Sequence, residues 1–181
     1  MLNKPRGIVT TAADEKGRDT VYSLLPGNLP WIAPVGRLDR ASEGLLLLTN
    51  DSEWAARITD PESHIEKTYH VQIDAVAEEP LIERLKRGLE MPNGEVLKAK
   101  QVKLLRATQK RSWLEIVLDE GKNRQIRRML DALGTPVLRL VRVAVGPLQL
   151  GELAKAEYRA LRDHEKAAVD RALQHAATSS L

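Results

Sequence analysis

Cysteine and phenylalanine are absent from this chain of 181 residues, and aromatic residues make up only 3% of it. The lack of cysteine excludes disulfides, zinc–thiolate sites and thiol catalysis. So few aromatic rings argue against a nucleic-acid surface built from rows of stacking side chains. The core must therefore be aliphatic, and any contact with RNA or DNA would depend on charge and shape.

Long hydrophobic runs are also missing. No stretch approaches the ~20 apolar residues that a membrane helix needs, and Met1–Pro5 lacks the apolar run of a signal peptide. The composition, with 43% hydrophobic and 29% charged residues, is typical of a globular protein. We therefore expect a soluble, cytoplasmic protein with no membrane contact, long enough for one domain or two small lobes.

The net charge is only +3, but the charge is unevenly distributed. Six basic residues and a single acid, Asp131, lie in one segment; the basic residues are Lys122, Arg124, Arg127, Arg128, Arg139 and Arg142. This pattern indicates an anion-facing surface, although a charge run can also be a solvated face without a ligand.

Apolar periodicity predicts the order of the structural elements. Predicted strands include Lys67–Ile73, Val102–Leu105, Trp113–Leu118 and Val137–Val145. Helices are predicted after Asp51, over Pro80–Leu89, after Asn123, and from Ala154 onward. About seven to nine strands and three or four helices, without regular alternation, predict an α+β fold with a mixed, mainly antiparallel sheet.

Asp39 precedes the most apolar run of the chain. The four leucines Leu45–Leu48 read as a strand buried on both faces, which places Asp39 in a loop at the mouth of the core. Spacing alone leaves two interpretations open. The carboxylate could form a structural ion pair with Arg37 or Arg40, or it could be a nucleophile or base held on a rigid scaffold.

The basic segment contains a predicted amphipathic helix. Its apolar stripe is Ile126, Met129, Leu130 and Leu133. With this stripe inward, Arg127 lies at the edge of the core, where it could reach a carboxylate or a phosphate, and Arg124 and Arg128 lie on the far face. Because arginines at a helix N-terminus oppose the macrodipole, a bound anion is expected there.

The remaining candidates carry weaker signals. Tyr69, taken alone, reads as a strand aromatic with its hydroxyl at the surface. The four histidines lack the spacing of metal ligands, so no metal site is predicted.

Five segments taken together form a more specific pattern: Asn3–Gly7, Gly36–Asp51, Lys67–Tyr69, Glu120–Leu130 and Leu140–Leu148. In content and order they resemble the pseudouridine synthases of the RsuA/RluB/E/F family, over nearly the entire chain. The resemblance implies a mixed, largely antiparallel sheet with helices packed on it and an active cleft across its middle. It also implies isomerisation of uridine to pseudouridine in ribosomal RNA, of the large subunit, without a cofactor.

The same resemblance implies roles for individual residues. Asp39 matches the catalytic aspartate, Tyr69 the tyrosine that stacks on the target base, Arg127 the basic partner of the aspartate, and Leu140 the apolar residue beside it. The aspartate either attacks the ribose C1′ or removes a ribose proton, after which the base leaves, rotates and re-attaches through carbon. The expected RNA contacts are Arg37, Lys122, Arg124, Arg128 and Arg142.

One feature departs from the family pattern. Many members carry a small basic RNA-binding domain before the Asn-Lys-Pro motif, whereas Met1 and Leu2 directly precede it here. The expectation is therefore a single catalytic domain over residues 1–181, with two lobes sharing one sheet, no N-terminal RNA-binding domain, and most like the short type E in size. We expect a monomer that acts on ribosomal RNA or a ribosomal subunit precursor. The alternative is a catalytically silent RNA-binding or ribosome-assembly module.

Overall fold

The computed structural model describes residues 1–11 and 14–179, within which ten strands and four α-helices follow one another. The strands are β1 (Leu2–Lys4), β2 (Ala33–Val35), β3 (Glu43–Thr49), β4 (Lys67–Ile73), β5 (Leu89–Glu90), β6 (Val96–Leu97), β7 (Gln101–Ala107), β8 (Ser112–Leu118), β9 (Val137–Val145) and β10 (Leu148–Gln149). The helices are α1 (Ser52–Thr59), α2 (Glu79–Arg87), α3 (Gln125–Ala132) and α4 (Asp163–Ser179). The ten strands exceed the expected seven to nine. Three of them, β5, β6 and β10, have only two residues each.

One eight-stranded sheet runs through the molecule. Its central order is β1-β3-β9-β4-β8-β7, with β2 paired to β3 and β10 paired to β9. The β3–β9 pair is parallel, and the other pairs of this sheet are antiparallel. Strands β5 and β6 form a separate hairpin. The α+β class with a mixed, mainly antiparallel sheet is therefore confirmed.

The contact between β3 and β9 depends on Gly44. This residue has φ +107°, and a Cβ there would lie 2.7 Å from the backbone nitrogen of Arg142 and nearer still to its carbonyl oxygen. Only glycine accepts both this conformation and this close approach. The pairing brings the loop before β3, which carries Asp39, beside the middle of β9.

Three apolar clusters fill the interior, and they lie on both sides of a cleft. The first packs α2 and α3 against β4, β7, β8 and β9. The second packs α1 and α4 against β2, β3 and β10. The third is small and centres on Leu2, Val21, Leu38 and Leu46. Tyr69 touches both the first and the third cluster, so it lies where these two clusters meet.

The expectation of a helix from Ala154 onward is wrong at its start, because α4 begins only at Asp163. The preceding segment is held beside β1 by backbone hydrogen bonds. The amide of Ala156 donates to Asn3 at 2.8 Å, and the amide of Arg159 donates to Met1 at 2.9 Å. Backbone groups that hydrogen-bond to a neighbouring strand cannot also form helical hydrogen bonds.

Helix α4 is docked on the fold. Val169 and Leu173 are buried in the second cluster, and the indole nitrogen of Trp54 donates to Asp170 Oδ1 at 2.7 Å. Among the residues that the structure describes, no helix has the length and apolar character needed to cross a bilayer.

Candidate active site

A cavity of 540 Å³ opens between the loop before β3 and the N-terminal end of α3, and we call it the cleft. Its size is within the range of ordinary ligand sites. Side chains from separate parts of the chain line it, among them Asp39, Lys67, Tyr69, Arg127, Leu140 and Arg142. The four residues expected to form the catalytic centre are thus brought together.

Asp39 is held by residues distant in the sequence. Its Oδ2 accepts from Arg124 Nη1 at 2.8 Å and from Arg127 Nε at 3.2 Å. The ion pairs of Asp39 within the described part of the chain are these two. Arg37 is instead exposed at the rim of the cleft, and Arg40 Nε donates to the carbonyl of Gly7 at 3.2 Å. The sequence neighbours are therefore not its partners.

Ser42 completes this arrangement, although sequence reasoning missed it. Its hydroxyl donates to Asp39 Oδ1 at 2.6 Å and accepts from Arg127 Nη2 at 3.2 Å. The Ser42 amide also donates to the Asp39 carbonyl at 3.0 Å, which closes the turn. The signal that could have identified it is a serine three residues after an aspartate in a turn, a spacing at which side chains bond locally.

Asp39 is held in its ionised form. Burial by itself would raise the pKa of this carboxyl, but the hydrogen bond from Ser42 and the charges of Arg127 and Arg124 outweigh it. The pKa of Asp39 is accordingly lower than that of an ordinary aspartate. With 24% of its side chain exposed, the carboxylate remains open to a ligand in the cleft.

Lys4 anchors the same loop through hydrogen bonds from its side chain. It is completely buried, and its Nζ donates to the carbonyl of Ser42 at 2.6 Å and to that of Pro5 at 3.0 Å. Burial lowers the pKa of Lys4 to about 8, although the charges of Asp39 and Glu43 act in the opposite direction. A buried lysine that anchors the carbonyl of Ser42 fixes the turn on which Asp39 depends.

Helix α3 begins later than expected, at Gln125, with Arg124 as its N-cap in the left-handed conformation (φ +47°). Arg124 was expected on the far face of the helix, but its guanidinium reaches Asp39. In the described structure, the anion expected at this helix start is therefore the carboxylate of Asp39, which belongs to the same chain. Arg127, by contrast, lies at the edge of the core as expected, with 10% of its side chain exposed.

Two further cations of this segment are paired with Glu95, in the turn of the β5–β6 hairpin. Arg128 Nη1 donates to its carboxylate at 2.7 Å, and Lys122 Nζ lies 3.7 Å from it. Lys122 also donates to the carbonyl of Val96 at 3.2 Å. Lys122 lines the cleft, whereas Arg128 faces the hairpin outside it.

Tyr69, Leu140 and Arg142 form the floor of the cleft. Tyr69 of β4 lies opposite Arg142 of β9, and Leu140 is buried two residues along the same strand. Arg142 was expected to contact RNA as part of an anion-facing surface. It is instead 7% exposed, and its Nε donates to the carbonyl of Leu45 at 2.8 Å, so it can meet only a ligand that enters the cleft.

Lys67 is a second cation on the floor that sequence reasoning did not single out. It lines the cleft, and burial, together with the nearby charge of Arg142, lowers its pKa. Over residues 1–11 and 14–179, no group of three or more histidine, cysteine, aspartate or glutamate side chains is placed to hold a metal ion.

The chemistry available in the cleft follows from these contacts. An ionised, partly exposed carboxylate faces one aromatic ring, and guanidinium and ammonium groups surround both. Such a carboxylate can act as a nucleophile or a base. The surrounding cations suit a ligand that carries negative charge, and the ring offers a face on which a planar group can stack.

Comparisons with known proteins agree with this geometry. A family model described as RNA pseudouridylate synthase matches residues 1–132. Ribosomal large subunit pseudouridine synthase B of Bacillus subtilis is 38% identical over 167 residues, which are 91% of this chain and 68% of that protein. Ribosomal large subunit pseudouridine synthase E of Vibrio parahaemolyticus is 37% identical over 175 residues, which are 90% of this chain and 73% of that protein. A solved structure described as a pseudouridylate synthase has a TM-score of 0.81 and 34% identity, and the match covers 93% of this chain and 71% of that one.

Proposed function

Because the chain belongs to the RNA pseudouridylate synthase family, we propose that it converts a uridine of large-subunit ribosomal RNA into pseudouridine. The observation that carries this proposal is the carboxylate of Asp39, held between Arg124, Arg127 and Ser42 in a cleft that also contains Tyr69. The choice of ribosomal RNA as substrate rests on relatives named for the large subunit.

The reaction rearranges atoms within one nucleotide. The bond between N1 of uracil and C1′ of ribose breaks, and a bond between C5 and C1′ forms. A proton leaves C5 and one is gained at N1, so atoms and electrons balance without an added reactant. Asp39 starts the reaction as an anion, by attack on C1′ or by removal of a ribose proton. The lowered pKa of Asp39 favours this form.

The other residues of the cleft position the substrate. Tyr69 stacks on the flipped uracil, and Leu140 packs against the apolar side of the same space. Arg127 keeps Asp39 ionised and aligned. A target base must leave its stack to reach such a cleft, which requires a firm hold on the flanking phosphates.

The phosphates are bound by the cations around the opening. Arg37 and Lys122 lie at the rim, while Arg142 meets the nucleotide inside the cleft. Arg124 is shared between Asp39 and the RNA, and Arg128 contacts RNA when its pairing with Glu95 is released. A silent binding module would have no need of a partly buried aspartate–arginine pair, and this favours the enzyme over the alternative.

The protein acts as a monomer on ribosomal RNA or a subunit precursor in the cytoplasm, and residues 1–181 form one catalytic unit. Support for this comes from the cleft, to which one chain contributes Asp39, Tyr69 and Arg127, and from the sheet that links both lobes. Analytical ultracentrifugation in the assay buffer tests the monomer, and a dimer as the active species would contradict it.

The test of the proposed function is pseudouridine mapping of large-subunit ribosomal RNA treated with the protein. One new pseudouridine is expected with the wild-type chain, and none with Asp39→Asn, since an amide can neither attack C1′ nor accept the proton. Retained RNA binding and a cooperative unfolding transition well above the assay temperature for Asp39→Asn serve as controls. Near-normal turnover by this variant would refute the role of Asp39.

A further inference from the structure

The sheet has a second charged surface, opposite the cleft. Side chains alternate between the two faces of a strand, so Arg139 of β9 points away from the side on which Leu140 and Arg142 lie. Its cross-strand neighbours are Gln72 of β4 and, beyond it, Trp113 of β8. Arg139, Gln72 and Trp113 are each half-buried. Helices α2 and α3 pack on the other side, with the first apolar cluster.

Trp113 organises the arginines of this surface. The guanidinium carbon of Arg106, an exposed residue of β7, lies 5.3 Å from the centroid of the indole ring, and that of Arg139 lies 5.7 Å from it. These are cation–π distances. A guanidinium that contacts a ring keeps its N–H donors, so Arg106 can donate to a further partner, whereas Arg139 already donates to Glu43.

A single buried carboxylate, Glu43, connects Arg139 to two more cations. Arg139 binds Glu43 through two hydrogen bonds of 3.0 and 3.1 Å. Lys155 Nζ lies 3.3 Å from the same carboxylate, and Arg6 Nε lies 3.8 Å from it. We call Arg6, Glu43, Arg106, Trp113, Arg139 and Lys155 the back-face cluster. It combines four cations with one carboxylate.

The cluster carries a net positive charge, because it contains four cations and one carboxylate. Burial by itself would raise the pKa of Glu43, but the hydrogen bonds and charges of Arg139 and then of Lys155 lower it. Yet the side chains of Lys155 and Arg6 remain 61% and 49% exposed. Arg106 makes no ion pair with Glu43 in the described residues. Two other acids near this face are engaged: Glu115 with His70, and Asp74 with Arg111.

One end of the cluster lies next to the loop that carries Asp39. Arg6 donates to the carbonyl of Ala41 at 3.4 Å, and Ala41 lies between Asp39 and Ser42 in the chain. Arg6 also donates to the carbonyl of Leu138, immediately before Arg139. A polyanion whose target nucleotide is in the cleft could thus continue past the loop onto the opposite face of the sheet.

We propose that the back-face cluster binds the sugar–phosphate backbone of the substrate RNA, outside the target nucleotide. The proposal rests on the proposed function for the identity of the polyanion. The exposed cations, their position beside the loop that carries Asp39, and the guanidinium group of Arg106 all suit phosphate. The cluster is thereby a second RNA-binding surface that adds affinity without touching the reacting atoms.

The experiment uses Arg106→Gln/Lys155→Gln in the full chain, with a labelled transcript of large-subunit ribosomal RNA as the probe. Both side chains are exposed, and Glu43 keeps its two hydrogen bonds to Arg139, so folding is retained. We expect the salt dependence of binding to flatten by about 1 in log–log slope for each phosphate that the variant no longer neutralises. The KM rises several-fold, and kcat stays unchanged. Arg106→Lys/Lys155→Arg keeps both charges and restores binding.

The matched control is Arg84→Gln/Arg87→Gln, which removes the same charge from exposed positions of α2. An unchanged slope and KM in the back-face variant, or an equal loss in the α2 control, would overturn the proposal. The slope is measured independently of turnover. The wild-type chain could form no pseudouridine while the back-face variant, but not the α2 control, loses salt-dependent binding. That result would support the RNA-binding surface and refute the proposed reaction.

Discussion

At the scale of single residues, the state of Asp39 is set by three partners rather than by its sequence neighbours. Ser42 donates to one carboxylate oxygen, and Arg124 and Arg127 donate to the other. Because the lowered pKa favours the ionised form in the folded state, the Asp39 interactions stabilise the fold above the ordinary aspartate pKa. This stability is lost as the pH falls through the lower pKa of the folded state.

Ser42→Ala tests the contribution of the hydroxyl. Its loss removes a hydrogen bond to a charged group, worth about 1.5–3 kcal/mol, so kcat/KM is expected to fall by about one to two orders of magnitude. The pKa of Asp39 rises without this donor, and the acid limb of the pH–rate profile moves to higher pH. Ser23→Ala, which removes an exposed hydroxyl far from the cleft, is the control. An unmoved acid limb would contradict the assigned role.

Lys4 gives the fold a second pH dependence of the same sign, in the alkaline range. Its pKa is lowered from 10.5 to about 8, so between these values the unfolded chain holds a proton that the folded chain has released. The free energy of unfolding should then rise with pH, by at most about 1.4 kcal/mol per pH unit from this group. Urea unfolding of wild type and Lys4→Met across this range measures the effect. A stability difference that does not grow with pH would exclude it.

At the scale of elements, the β5–β6 hairpin controls the basic side of α3. Glu95 in its turn engages both Arg128 and Lys122, two residues expected to contact RNA. The hairpin can therefore keep these two cations from binding a ligand at the cleft opening. This arrangement depends on the tertiary fold, since about thirty residues separate the hairpin from the helix start.

Glu95→Gln tests this arrangement. Without the carboxylate, Arg128 loses its ion pair, and Lys122 is held, among the described residues, only by Glu120 and the carbonyl of Val96. RNA binding is therefore expected to tighten, and its salt dependence to steepen by up to about 1 for each cation that gains a phosphate. Glu90→Gln is the control, because it removes the same charge from the same hairpin at an exposed position. Equal gains in both variants would point to general electrostatics rather than to release of the two cations. The readout is anisotropy of labelled ribosomal RNA at a series of salt concentrations.

At the scale of the whole molecule, α4 stabilises the second apolar cluster without lining the cleft. Leu173 is buried in the second apolar cluster, among residues of α1 and β3. Its contribution is therefore expected to appear in stability and not in turnover.

Leu173→Ala separates these two effects. Removing a buried leucine side chain costs about 2–5 kcal/mol of unfolding free energy, while kcat measured well below the unfolding transition should stay the same. Gln174→Ala, one residue along on the exposed side of α4, should change neither. A loss of kcat in a fully folded Leu173→Ala protein, by circular dichroism, would show that α4 is coupled to the site.

Sequence patterns predicted much of the fold because the signals are local. The alternation of Lys67–Ile73 and the continuous apolar run of Leu45–Leu48 each define a strand by side-chain periodicity, and both strands are present. The start of α4 was wrong because the segment after Ala154 bonds to β1, a partner more than 150 residues away. Periodicity carries no information about such a partner.

The sequence alone determined that Asp39 sits in a loop before a buried strand, that a basic helix follows, and, through its motifs, to which family the chain belongs. Only the tertiary structure decided that Arg124 joins the expected partner Arg127 at Asp39, that Ser42 and Lys4 hold its turn, and that Arg142 is buried in the cleft. The physical reason is distance along the chain. Local patterns define elements, whereas ion pairs across about 85 residues exist only once the sheet has brought β3 and α3 together.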